Sequence, residues 1–114
     1  MSSKDLGGRG ESLAVDILRK QGYKILQRNF SCKIGEIDII ALDDNVLIFV
    51  EVKTRSNSWY GLPEEAITPW KIRKIARVGD YYKLLHPELP EQLRIDAVCI
   101  DYNETRVIKN ISPL

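Results

Sequence analysis

The chain has 114 residues, the length of one compact domain and short of two ordinary ones. Hydrophobic residues make up 44% and charged residues 29%, a globular rather than a disordered balance. With 17 basic and 16 acidic residues the formal charge is +1, which argues against a general nucleic-acid-binding surface spread over the whole chain. The longest unbroken apolar run, Val46 to Val50, is too short to cross a bilayer. The first ten residues lack the apolar core of a signal peptide, and Cys32 and Cys99 form no C-x-x-C pair, so a reducing compartment, the cytoplasm, is expected.

In chain order, Leu6 to Gln21 reads as a helix, with Ala14, Ile17, Leu18 and Gln21 at helical spacing and Gly22 as its stop. Lys24 to Phe30 alternates as a strand. Glu36 to Leu42 and Val46 to Lys53 are rich in Ile and Val and flank the turn formers Asp43, Asp44 and Asn45, which predicts a β-hairpin. Ser56 to Pro63 is a polar, aromatic loop. There Trp59 and Tyr60 have two readings, stacking on an unpaired base or packing over a sheet edge.

Thr68 is placed to cap a second helix, and Pro69 occupies its first position, where the missing N–H costs nothing. Ile72, Ile75, Ala76, Gly79 and Tyr82 share its apolar face, and Pro87 and Pro90 close it. Between Pro69 and His86 the cations Lys71, Arg73, Lys74, Arg77 and Lys83 face a single acid, Asp80, so this segment is locally basic. Leu93 to Tyr102 and Arg106 to Ile111 are two more strands. The order α-β-β-β-α-β-β predicts one α/β domain with a mixed sheet.

Charges are threaded into two otherwise apolar strands. Alternation places Glu36, Asp38, Ile40 and Leu42 on one face of the first hairpin strand, and Leu47, Phe49, Glu51 and Lys53 on one face of the second. The opposite faces, Ile37, Ile39, Ala41 and Val46, Ile48, Val50, Val52, are wholly apolar. A two-residue turn at Asp44 and Asn45 would set Asp38 opposite Glu51 and Glu36 opposite Lys53; a longer turn would make the acids diagonal. Opposed carboxylates repel, so either a cation lies between them or one holds a proton. A divalent Mg²⁺ or Mn²⁺ ion suits hard oxygen ligands from Asp38, Glu51 and the Val52 carbonyl, with Lys53 beside it to orient an attacking water or steady charge on a phosphate. Glu11 lies on the helical stripe that faces the sheet. Taken alone, Glu51 and Lys53 would be a surface salt link, and Glu36 is an accessory candidate that otherwise neutralises Lys53.

Glu11, the run Gly35-Glu36-Ile37-Asp38-Ile39-Ile40-Ala41 and the run Phe49-Val50-Glu51-Val52-Lys53-Thr54-Arg55 together resemble the PD-(D/E)XK nuclease superfamily, with Ile37 at the place of the signature proline. More narrowly the chain resembles the YraN-like family of small bacterial proteins, a likeness that runs on through Gly61, Pro63, Glu65, Ala66, Arg94 and Asp96. It is similar, more distantly, to archaeal Holliday junction resolvases. The resemblance implies a single restriction-endonuclease-like domain with its core at about residues 8–111. It also implies Asp38, Glu51 and Lys53 as a metal-dependent catalytic centre, joined by Glu11.

The expected function is metal-dependent hydrolysis of DNA, at branched or repair-intermediate structures, with Lys71, Lys74, Arg77 and Arg55 on the nucleic acid and a homodimer as one arrangement. The alternative is a non-catalytic nucleic-acid-binding module of a repair, recombination or uptake complex. A third reading is a metal-stabilised structural protein. His86 is read as a helix-end residue, Cys32 and Cys99 as small apolar fillers, and Arg94 with Asp96 as a structural pair.

Overall fold

The computed structural model describes residues 3–55, 63–102 and 104–112. Helix α1 (Ser3–Lys20) leads into strand β1 (Lys24–Ser31), then β2 (Glu36–Asp43) and β3 (Val46–Thr54). A short 3₁₀ turn (Pro63–Ala66) precedes α2 (Pro69–Leu85), followed by β4 (Leu93–Ile100) and β5 (Thr105–Ile108). The five strands form one sheet in the order β1-β2-β3-β4-β5. Only β3 and β4 run parallel, joined by the crossover through α2. This is the expected mixed α/β architecture in the expected element order.

Local chemistry explains the helix ends. At the end of α1, Gly22 takes φ +94°, the Tyr23 N–H donates to the Leu18 carbonyl and the Gly22 N–H to that of Arg19. That double bond pattern closes a helix with a left-handed glycine, and Tyr23 and Leu18 are buried in the same cluster. Thr68 caps α2: its backbone is extended and its Oγ1 accepts from the Lys71 N–H at 3.2 Å. His86 is the C-cap, with its imidazole packed on the Tyr82 ring at 4.1 Å.

The sheet is covered on both faces. Ala14 and Leu18 of α1 pack on Ile39, Ala41, Ile48 and Val50; Ile75, Val78 and Tyr82 of α2 pack on Ile40, Leu47 and Phe49. Successive residues of β3 therefore alternate between the two cores. Two glycines permit close packing. A Cβ on Gly79 would lie 2.5 Å from the Phe49 ring, so α2 rests directly on that ring; a Cβ on Gly10 would lie 2.6 Å from Thr54 Oγ1.

The last strands are shorter than their composition predicts. β4 stops at Ile100 because the chain reverses there, with the Asp101 N–H donating to the Glu104 carbonyl and the Glu104 N–H to Asp101 Oδ1. Strand β5 stops at Ile108. Beyond it Asn110 turns to φ +58° and donates its N–H to Asp96 Oδ1, which pulls the chain out of the ladder.

Candidate active site

The β2–β3 hairpin has the register expected of a two-residue turn. Asp43 pairs with Val46, with Asp44 at φ +52°, and the pairing runs back to Ile39 opposite Val50. There it ends. Strand β3 continues alongside β4 as far as Thr54 opposite Ile100, while β2 continues alongside β1 as far as Glu36 opposite Ser31. The two central strands thus part at a fork. The expected ladder contacts of Asp38 with Glu51 and Glu36 with Lys53 lie beyond the last paired residues.

Asp38 occupies the crotch of this fork. Its Oδ2 accepts the Val52 N–H at 2.8 Å, a donor that a continuing ladder would have used on backbone. A side chain bonded across to the next strand lies near the plane of the sheet, so strict alternation lapses at this point. Ile37 accordingly packs with the α2-side core rather than under α1 with Ile39 and Ala41, contrary to the simple alternation.

Burial pushes the Asp38 carboxyl up to about 6, against the pull of the Val52 N–H and with a further push from Glu11. Burial likewise pushes Glu51 up to about 7, with Asp38 adding repulsion and the Lys71 and Lys53 ammonium groups opposing it. Glu11 reaches this place from α1 on the other side of the sheet, and its Oε1 is buried without a hydrogen-bond partner. Four acids (Glu11, Glu36, Asp38 and Glu51) and two lysines from four elements therefore share one electrostatic environment.

The fork opens into a cleft of about 490 Å³, lined by Asp38, Glu51, Glu36, Trp70, Lys71 and Lys74 among others. Of the cations expected to meet a nucleic acid, Lys71 and Lys74 border the carboxylates directly. Arg77 is exposed on α2 outside that cleft. Arg55 sits half-buried at the end of β3, its N–H donating to the Ile100 carbonyl and its Nε buried without a hydrogen-bond partner. Trp59, Tyr60 and Gly61 lie outside the described residues.

The oxygen-rich donor set fits a hard divalent cation. Asp38 and Glu51 face one cleft with carboxyls that are poorly solvated when ionised, and an orphaned Glu11 oxygen lies behind them. Among the described residues no three His, Cys, Asp or Glu side chains converge as a ligand cluster. The protein would thus offer two carboxylates and the Val52 carbonyl, a set that Mg²⁺ commonly completes with water.

Two features fall outside the sequence reading. Trp70 stands 61% exposed at the start of α2 with the Lys74 ammonium 5.1 Å from its ring centre. Its position four residues before Lys74 and seven before Arg77 was the available signal. Arg106 grips both Glu64 oxygens, at 2.6 and 2.7 Å, a pairing of residues 42 positions apart that no local pattern announces.

The Arg94–Asp96 pair is structural, as expected, and larger than a pair. Asp96 is fully buried on the α1 side and accepts from Arg94, from the Tyr23 hydroxyl at 2.5 Å and from the Asn110 N–H. Arg94 also reaches Asp43 at 2.7 Å, and that ion pair holds the Asp43 carboxyl below its ordinary value. Cys99 is buried and its thiol is pushed up to about 11 by burial, so it is an inert filler.

Fold and site together define a small α/β domain with a forked sheet whose parting strands carry paired, half-buried carboxylates beside lysines. The chain belongs to the uncharacterised protein family UPF0102, whose model matches residues 10–100. It is 43% identical over 112 residues to a UPF0102 protein of Caldicellulosiruptor saccharolyticus, covering 98% of this chain and 95% of that one. It is 46% identical over 112 residues to one of Lachnoclostridium phytofermentans, covering 96% and 94%. No described helix is long and apolar enough to cross a membrane.

Proposed function

We propose that this protein is a metal-dependent nuclease that hydrolyses phosphodiester bonds in DNA, at branched or repair-intermediate structures, in the cytoplasm. The reading places the chain in the PD-(D/E)XK superfamily, with archaeal Holliday junction resolvases as distant kin. One observation carries it: Asp38 and Glu51 project from strands that part to receive them, both held toward protonation by burial and by neighbouring carboxylates. Such an arrangement opposes folding unless a cation occupies it, and sites that work against stability are characteristically functional.

In this reading Asp38, Glu51 and the Val52 carbonyl hold Mg²⁺ or Mn²⁺, which supplies Lewis-acid polarisation of the phosphate. Asp38 is kept in place by the Val52 N–H. Lys53, on the same strand as Glu51, presents its ammonium to the nucleophilic water and to charge that develops on phosphate oxygens. Glu11 supplies further negative potential from α1, and Glu36 extends it at the cleft rim. Lys71 and Lys74 meet the flanking phosphates, with Arg77 and Arg55 further out. A second reading, a non-catalytic nucleic-acid-binding module within a repair, recombination or uptake complex, draws on the donor set, which among the described residues holds no cluster of three ligating side chains.

The test is cleavage of single-stranded, duplex, flap and four-way-junction DNA, and of RNA, with Mg²⁺ or Mn²⁺, by wild type, Asp38→Ala and Lys53→Met. Cleavage by wild type alone supports the nuclease. Retained binding without cleavage in all three supports the module. Equal cleavage by Asp38→Ala refutes the assignment.

A further inference from the structure

The carboxylate cleft does not end at the fork. A second cleft, of about 640 Å³, is lined by Phe30, Lys33, Ile34, Tyr81 and Leu85, and it shares Ser31 and Cys32 with the first. The two make one continuous groove, with the connection between β1 and β2 as one wall and α2 as the other. Along α2 the residues Trp70, Lys74, Arg77 and Tyr81 follow at intervals of four, three and four, so they form one stripe over three turns, about 16 Å long. All four are exposed, Trp70 by 61% and Tyr81 by 40%.

The stripe reads aromatic, cation, cation, aromatic. Gly35 brings the opposite wall against it, since a Cβ there would meet Lys74 Cε at 2.9 Å. The Lys74 stem is thereby held between Gly35 and the Trp70 ring. Tyr81 is braced by Phe30, with ring centres 6.5 Å apart. Lys33 adds a cation on the far wall. The ends of the groove thus offer aromatic rings held by their neighbours, and its middle offers positive charge.

We infer that this groove binds an unpaired stretch of a nucleic-acid chain, with bases stacked on Trp70 and Tyr81, phosphates on Lys74 and Lys33, and Arg77 adding charge from the exposed α2 stripe beside it. The inference rests on the nuclease reading and names its substrate class, a single-stranded arm leading into the carboxylate fork. A duplex buries its base faces in its own stack and would leave both rings without partners. An unpaired strand offers every base face to an aromatic ring, whatever the sequence. The chemistry is common to single-stranded DNA and RNA.

Binding is measured in EDTA, which separates it from cleavage. In a Trp59→Phe background Trp70 is the sole indole, and its fluorescence reports stacking directly. Short oligothymidylate, oligouridylate and a duplex of equal phosphate number are titrated in turn. The single strands are expected to quench Trp70 and bind more tightly than the duplex, with a difference between DNA and RNA naming the natural strand. Trp70→Ala, followed by anisotropy of a labelled oligonucleotide, should weaken the single strand at least about fivefold and leave the duplex unchanged. Trp70→Phe should restore most of the loss, whereas Lys20→Ala, exposed on α1 across the sheet, should have no effect.

Equal affinity for duplex and single strand, or full single-strand affinity in Trp70→Ala, would overturn the inference. Metal-dependent cleavage of a plain duplex alongside those results would leave the nuclease standing without it. Selective single-strand binding with no cleavage under any metal would refute the nuclease and support the groove's occupant.

Discussion

Replacing Asp38 by Asn should stabilise the metal-free protein, although it removes a hydrogen-bonded side chain from a half-buried position. Asp38 ordinarily titrates near 3.8 and is pushed up to about 6 in the fold, chiefly by burial. Above pH 7 its ionised form therefore opposes folding by about 3 kcal/mol, at 1.36 kcal/mol per pKa unit. Asn is uncharged and keeps an oxygen for the Val52 N–H, so the neutral bond replaces a charge-assisted one at a cost of about 1 kcal/mol. The net gain is about 1–2 kcal/mol, or about 4–8 °C in Tm for a domain of this size. The sign of the pH dependence follows from the same shifts. Asp38 and Glu51 bind more protons folded than unfolded between about pH 4 and about pH 7, so wild-type stability falls as pH rises through that window. Urea denaturation in EDTA at pH 5 and pH 8 measures both. Asp38→Asn should gain most at pH 8; at pH 5 roughly half of the ionisation penalty remains to be relieved, and the advantage vanishes only below about pH 4. A loss of stability at pH 8, equal to that at pH 5, would show that Asp38 is an ordinary structural acid and refute the electrostatic argument.

Other outcomes follow from particular contacts. Arg94→Met leaves the fully buried Asp96 without its charged partner and should cost about 3 kcal/mol by thermal or chemical denaturation, with any metal response of the fork retained. Gly79→Ala drives a methyl group into the Phe49 ring and should cost about 1–3 kcal/mol in the same assay. Lys71→Glu combined with Lys74→Glu should lower the salt dependence of single-strand binding, reducing the slope of log K against log salt by about 1.4, as measured by anisotropy over a salt series.

The hairpin was legible because its determinants are local. Two turn-forming residues between β-branched runs set the register, and that register brings Asp38 and Glu51 toward each other. What alternation misses is the fork: a ladder that ends at Ile39 depends on β1 and β4 pulling β2 and β3 apart, which no residue of the hairpin announces. For the same reason Ile37 sits on the unexpected side. The end of β5 depends on Asp96 recruiting the Asn110 N–H across 14 positions, a tertiary bond without a propensity signature. Trp70 was readable from its spacing to Lys74 and Arg77, but the groove it borders needs the β1–β2 connection brought alongside α2. Glu11 was correctly placed toward the sheet by helical periodicity. Its buried, unpartnered oxygen emerges only when α1 is docked.

The central claim is that the fork at Asp38 and Glu51 holds a divalent cation for chemistry on a phosphodiester. Calorimetric titration of Mn²⁺ into the wild type, Asp38→Asn and Glu51→Gln at pH 8 tests it most directly. Saturable binding to the wild type is expected, where both carboxyls are ionised and free to hold the ion, with loss of that binding in both variants. Identical heats in all three proteins, or no heat in the wild type, would contradict it.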